Sequence, residues 1–313
     1  MMEAMTAPNH SATVRDWWQA ARPHTWANAF APVVAGTGAA AFHGGAHLGR
    51  ALLALIVSWA LIVGVNYAND YSDGIRGTDD DRTGPARLTA SGSVPPERVK
   101  SAAFVSFFVA AAAGVILAVM SAWWLVLVGA LCIAAAWFYT GGKNPYGYQG
   151  LGEVAVFIFF GLVAVMGTEF TQSGSVTWVG FLIAVAIGSI SAAVNLANNI
   201  RDIPTDAVAG KNTLAVRLGD VRARRVFTFL TLTPFAASFV LAIAYLPVLI
   251  ALVALPLAVA STLKVMRGAR GPELIPVLGL NGKAMLTWAV VTALALAWGG
   301  SMLFSYAPLA GPR

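Results

Sequence analysis

The chain has 313 residues, 58% of them hydrophobic and only 11% charged, with a mean hydropathy of +0.71. That balance excludes an ordinary water-soluble domain and points to a lipid bilayer. The formal net charge of +6 does not argue for nucleic acid, because no soluble domain or aromatic-basic stripe is present to use it.

Residues 1–25 form a cytoplasmic N-terminal segment in which Trp17 and Trp18, with Trp26 just after, act as an interfacial anchor. It is too long and polar, and lacks a clear cleavage site, so it is not expected to be a removable signal. A single transmembrane domain follows over 26–305, with a short outer tail at 306–313. A span takes roughly 20 apolar residues, and nine segments are expected on that measure: 26–42, 51–71, 102–120, 123–139, 151–170, 178–199, 226–245, 247–263 and 284–304. The fold class is therefore an all-α polytopic membrane protein. Long stretches without Asp, Glu, Lys or Arg, between Lys100 and Lys143 and between Arg225 and Lys264, each hold two spans. Their turns fall at the Trp pair of 121–124 and near Pro247.

With the N-terminus cytoplasmic, every Lys and Arg except Arg50 and Arg313 falls on the inner side, which fixes an N-in, C-out orientation. The active face is then cytoplasmic, in a cell membrane. The single Cys132 lies in an apolar segment and excludes an intrachain disulfide or a cysteine metal cage.

The acids gather on the inner side too, with Glu169 the one exception. The second span runs into Asn66, Asn69, Asp70 and Asp73, followed by Asp79, Asp80 and Asp81. The sixth runs into Asn195, Asn198, Asn199, Asp202 and Asp206. Helical spacing puts Asn66, Asp70 and Asp73 on one face, and Asn195, Asn199 and Asp202 on another, with Asp206 continuing the line. The two stripes match each other position for position, as a pseudo-symmetric pair would.

Carboxylates and amides without His or Cys are hard oxygen ligands suited to Mg²⁺, which shares its coordination with water and substrate phosphate. Arg76, Arg82, Arg201 and Lys211 lie in the same loops, so an anion belongs among the cations. A diphosphate satisfies both charge sets.

At these residues the chain resembles the UbiA superfamily of intramembrane prenyltransferases, whose members have nine helices and Asp-rich motifs on the second and sixth. The first motif stands here as Asn69-Asp70-Tyr71-Ser72-Asp73, with Gly77 where the family has its last Asp and Asp79 two residues later. The second stands as Asn198-Asn199-Ile200-Arg201-Asp202, continuing through Asp206 and Gly210-Lys211. The pattern is similar to the 1,4-dihydroxy-2-naphthoate branch, which makes menaquinone precursors. Arg22-Pro23-His24-Thr25, Tyr139-Thr140-Gly141-Gly142-Lys143 and the run 145–153 agree with it.

The resemblance implies Mg²⁺-dependent transfer of a polyprenyl group from its diphosphate to the aromatic acid, releasing carbon dioxide and diphosphate. The metal ligands expected are Asp70, Asp73, Asp79, Asn198, Asp202 and Asp206, with Asp80 and Asp81 as alternatives to Asp79. The diphosphate ligands expected are Asn66, Asn69, Arg76, Arg82, Lys143, Asn195, Asn199, Arg201 and Lys211. Tyr139 would hydrogen-bond the diphosphate or face the allylic cation with its ring. Arg22, with His24, would take the aromatic carboxylate.

His43 and His47 flank Gly44-Gly45 in a short outer loop and are not read as a metal site. Gly147-x-x-Gly150-x-Gly152 joins two spans without the strand a dinucleotide fold needs. Another acceptor such as 4-hydroxybenzoate is the runner-up. A lipid-phosphate or divalent-cation transporter is the reading from another class. The matched motifs share one orientation at one interface, unlike inverted repeats with a midplane site, which favours an enzyme.

Overall fold

The computed structural model of the chain describes residues 12–77 and 87–305, and among these every regular element is helical. Asp79, Asp80, Asp81 and Arg82 lie outside the described residues, so their expected roles receive no geometry here.

Helix α1 (Val14–Ala20) is closed by a capping box in which Thr13 and Asp16 each cover the other's backbone amide. It lies beside the bundle rather than in it. Trp17 meets Tyr67 edge-on at 5.6 Å, Trp18 meets Trp26 at 4.9 Å, and Trp26 meets Trp59 at 5.2 Å. These rings clamp the N-terminal segment to the next two helices, α2 (Ala27–Phe42) and α3 (Leu48–Gly74).

The chain continues through α4 (Pro96–Met120), α5 (Leu125–Phe138), α6 (Gly152–Ser173), α7 (Trp178–Val208), a single turn α8 (Leu214–Leu218), α9 (Asp220–Leu241), α10 (Leu246–Met266) and α11 (Gly271–Met302). Six of these, α3, α4, α6, α7, α10 and α11, are long and apolar enough to cross a membrane. Helices α2 and α5 are apolar but shorter, and α9 opens on Asp220, Arg222, Arg224 and Arg225. Each expected segment thus has a helix at its place, though several ends move. The last helix begins well before residue 284 because Leu274, Val277 and Leu278 are buried, and Asn281, inside it, donates to Thr231 of α9 at 3.1 Å. A polar residue with a partner does not end a buried helix.

Helix α7 is the axis of the bundle, with 78% of its most apolar stretch buried against 33% for α3 and α4. The main core forms where Ile183, Ile187 and Ile190 of α7 meet Met285 and Trp288 of α11. The Trp288 indole donates to Ser238 at 2.9 Å, so its one polar atom is satisfied. Glycine sets the closest approach: a Cβ on Gly161 of α6 would sit 2.5 Å from the Gly188 Cα of α7. Small residues at such a crossing let two backbones touch. The centre of α6, Phe157–Met166, is wound as a π-helix, a widened form often found at functional sites. Large side chains such as Phe108, Val119, Leu131 and Ile243 remain exposed on the outer faces. They are the expected contact with lipid tails.

Candidate active site

Two helices carry the polar clusters past the apolar part of the bundle. Helix α3 stays helical to Gly74 and α7 to Val208, so Asp73, Asp202 and Asp206 all project from regular helix. Between their ends lies a polar cavity of about 110 Å³. Asn69 and Asp73 enter it from α3, and Asn195, Asn198, Asn199, Asp202 and Asp206 from α7. Arg22, Arg87 and Lys211 line it as well, giving three basic groups with three carboxylates.

The face of α3 differs from the expected one. Asp70 is fully buried but turned away from the cavity, its two oxygens accepting the backbone amides of Leu88 (3.0 Å) and Thr89 (2.9 Å). Asn69 takes the cavity position instead and accepts from the Thr140 hydroxyl at 2.7 Å. Asn66 is also outside the polar cavity; its amide donates to Ala21 O (3.0 Å) and Thr25 Oγ1 (3.2 Å), tying α3 to the N-terminal segment. The facing set is therefore Asn69 and Asp73, one turn apart. Asp70 instead braces the returning loop and so sets where Arg87 enters.

On α7 the cavity is lined by Asn195, Asn198, Asn199, Asp202 and Asp206. Asp202 is buried and takes both oxygens' bonds from its neighbour Arg201 at 2.7 Å each, a bidentate pair. Arg201 itself does not line the polar cavity. Asn199 donates to Glu153 Oε1 at 2.6 Å, and Asn195 accepts from the Tyr139 hydroxyl at 3.3 Å. The Asn195 amide nitrogen is buried without a hydrogen-bond partner among the described residues.

The loop between α5 and α6 supplies what the sequence left unassigned. Tyr148 donates its hydroxyl to Asp73, and Lys211 Nζ stands 3.6 Å from the same carboxylate and 4.6 Å from the Tyr148 ring centre. Arg76 does not reach the cavity: its guanidinium donates to the carbonyls of Thr140 and Gly142, pinning that loop to the end of α3. Lys143 is exposed and away from the cavity, contrary to its expected diphosphate contact. Arg87, Tyr148, Thr205 and Thr213 also line the cavity, though the sequence reading assigned them no role. Tyr148 lies in the run 145–153 that carried the family resemblance; Arg87 had only its charge.

Arg22 sits where the cavities join, and among the described residues it alone is a non-glycine with positive φ, 52°. Such a backbone persists only when its surroundings hold it, and strain of this kind collects at functional sites. His24 lines neither cavity. Although part of its surface reaches solvent, burial of the ring and the nearby Arg22 and Arg201 charges lower its pKa to about 4. These causes favour the neutral ring in the ligand-free protein.

Below the polar cavity an apolar one of about 420 Å³ runs down the bundle, walled by α3, α4, α5, the π segment of α6 and α7. From Asn69 to Ala54 it follows α3 for about 22 Å at 1.5 Å per residue. Arg22, Asn69, Tyr139, Asn195 and Asn198 line both cavities. Asn28, buried in the wall of the apolar cavity, has an Oδ1 without a hydrogen-bond partner among the described residues.

The donor set fits a magnesium ion by its chemistry: carboxylates and amide oxygens, with no His or Cys lining the polar cavity. Among the described residues no three His, Cys, Asp or Glu come together as a closed metal cage. An ion here would share its coordination with water and phosphate oxygens, as Mg²⁺ does.

A helical membrane bundle with a charged chamber opening onto a long apolar cavity is built to handle a molecule with an anionic head and an apolar tail. The chain belongs to the UbiA prenyltransferase family, whose family model matches residues 29–274. It is 56% identical to the 1,4-dihydroxy-2-naphthoate octaprenyltransferase of Mycobacterium tuberculosis, over 92% of this chain and 99% of that one. It is 39% identical to the Escherichia coli protein of the same name, over 67% of this chain and 70% of that one. Among solved structures, a UbiA homolog from Archaeoglobus fulgidus bound to GPP and Mg²⁺ superposes with a TM-score of 0.61, at 17% identity, covering 88% of this chain and 99% of the other. That likeness speaks for the fold.

Proposed function

We propose that the chain transfers a polyprenyl group from its diphosphate to 1,4-dihydroxy-2-naphthoate, with loss of carbon dioxide and diphosphate. The product is demethylmenaquinone in its reduced, quinol form. The observation that carries this reading is the junction: the five residues lining both cavities put a charged head and an apolar tail on either side of one point. The name of the Mycobacterium tuberculosis relative supports the choice of acceptor.

In this reading Asp73, Asp202 and Asp206, with Asn69 and Asn198, hold magnesium. The ion would neutralise the diphosphate and stabilise it as a leaving group. Lys211 and Arg87 meet the remaining phosphate oxygens and stabilise the charge that grows as the C1–O bond breaks. The bonding electron pair leaves with the diphosphate, and an allylic cation remains at the junction. Tyr139, lining both cavities, faces that carbon with its ring. The apolar walls keep water from quenching it. Arg22 holds the naphthoate carboxylate, so the ring carbon bearing it attacks the cation. Carbon dioxide then departs, and the electrons of its C–C bond restore the aromatic ring.

The orientation that accompanies this reading is N-in with nine spans and the polar cavity at the cytoplasmic side, supported by the Lys and Arg asymmetry. Incubating purified protein with several aromatic acids and prenyl diphosphates, with and without Mg²⁺, tests the reading by product mass. Prenylated naphthoquinol only with Mg²⁺ is expected. Prenylated 4-hydroxybenzoate as the main product would reassign the acceptor.

A further inference from the structure

The second cluster carries an amide, Asn199, one turn before Asp202 on the face that meets the polar cavity. Behind it, on α6, Glu153 is only 4% exposed. Its Oε1 accepts from the Asn199 Nδ2 at 2.6 Å, and its Oε2 is buried without a hydrogen-bond partner among the described residues. Glu153 can come this close because Gly152 precedes it: a Cβ there would lie 3.0 Å from the Tyr139 hydroxyl and 3.1 Å from the Asn195 amide nitrogen.

Oε1 accepts the 2.6 Å bond, so it holds the nitrogen side of the Asn199 amide toward α6. The oxygen is thereby turned to the opposite side, where Asn199 lines the cavity beside Asp202 and Asp206. An amide that donates a short hydrogen bond is also polarised, which places more negative charge on its oxygen. An outward oxygen so charged suits a cation better than a diphosphate.

We propose that Glu153 is a positioning residue that fixes Asn199 with Oδ1 toward the polar cavity as a ligand of the divalent cation. This rests on the proposed magnesium site and assigns Asn199 to the cation rather than to the diphosphate. Glu153 acts through Asn199 and does not touch substrate.

The test is Mn²⁺ binding followed by electron paramagnetic resonance, with a prenyl thiodiphosphate present and no aromatic acceptor, so that turnover plays no part. Glu153→Leu is expected to weaken Mn²⁺ binding about 10-fold or more, the usual effect of losing a group that orients a ligand. Glu153→Gln, whose amide oxygen still accepts from Asn199, is expected to bind nearly as the parent does. Asn199→Asp alone places two carboxylates in contact and weakens binding. Adding Glu153→Gln restores it, because Gln can donate where Asn199 donated before. Parent-like binding by Glu153→Leu overturns the proposal. If that variant does not fold, equal binding by Asn199→Asp with and without Glu153→Gln overturns it. No Mn²⁺ binding by the parent protein would defeat the magnesium reading itself, a result distinct from both.

Discussion

Lys211 and Asp73 face each other across the polar cavity, with Nζ 3.6 Å from Oδ1, although one follows α7 and the other ends α3. The Tyr148 hydroxyl donates to the same carboxylate, and the lysine lies over the Tyr148 ring. A cation entering beside Asp73 would compete with Lys211 and free it for a phosphate oxygen. Lys211→Met is therefore expected to raise the KM for prenyl diphosphate by about 10-fold or more, the value of one charge-assisted contact. Asp73→Asn should instead lower kcat, so that saturating diphosphate does not restore the rate. Steady-state kinetics on the two variants separates these effects.

Asp70 behaves differently from its neighbour in the motif. Its oxygens hold the Leu88 and Thr89 amides, so Asp70→Asn removes one charged acceptor from a buried pair of bonds. A loss of about 1.5–3 kcal/mol in stability is expected, read by thermal melting. Turnover should fall less than in Asp73→Asn. Equal loss of turnover in both, with no change in melting, would make Asp70 a metal ligand after all.

This contrast marks how far the sequence could be read. The apolar segments and the two polar helix ends were legible because spans and amphipathic spacing have fixed periods, and Asp73, Asp202 and Asp206 do meet at one cavity. The rotation of α3 was not legible, since Asn69 and Asp70 are adjacent polar residues and only the path of 87–89 decides which is drawn aside. Arg87, Tyr148 and the displaced Lys143 all depend on irregular loops, whose course no periodicity records. Glu153 was visible in a matching run, but its bond to Asn199 is a contact between helices.

The apolar cavity predicts a bulk effect on tail length. Gly129 lines it on α5, and a Cβ there meets nothing within 4 Å. It lies about 15 Å from Tyr139 along the helix. Gly129→Phe would fill the cavity at that depth without striking the backbone. Activity with a two-unit prenyl diphosphate is expected to change little, while that with an eight-unit one falls about 10-fold, equivalent to about 1.4 kcal/mol of lost fit. Competition between the two substrates, with products weighed by mass spectrometry, gives the ratio.

His24 predicts a pH effect on stability rather than on chemistry. Its folded pKa is lowered to about 4 from an ordinary 6.5, by burial first and then by Arg22 and Arg201. The unfolded chain therefore binds more protons than the folded one between these values. The contribution is fully present above 6.5, falls as the pH drops through the window, and is lost below about 4. Melting of the parent should drop across that range more steeply than melting of His24→Asn. At neutral pH the variant should keep parent-like kinetics, because His24 lines neither cavity.

Coupled bond breaking at the junction of the two cavities is the central claim, and carboxyl-labelled 1,4-dihydroxy-2-naphthoate tests it most directly. With prenyl diphosphate and Mg²⁺, the account predicts labelled carbon dioxide, diphosphate and prenylated quinol in equal amounts, all abolished in the Asp73→Asn, Asp202→Asn double variant. Label retained in the prenylated product, or equal product from the double variant, would contradict it.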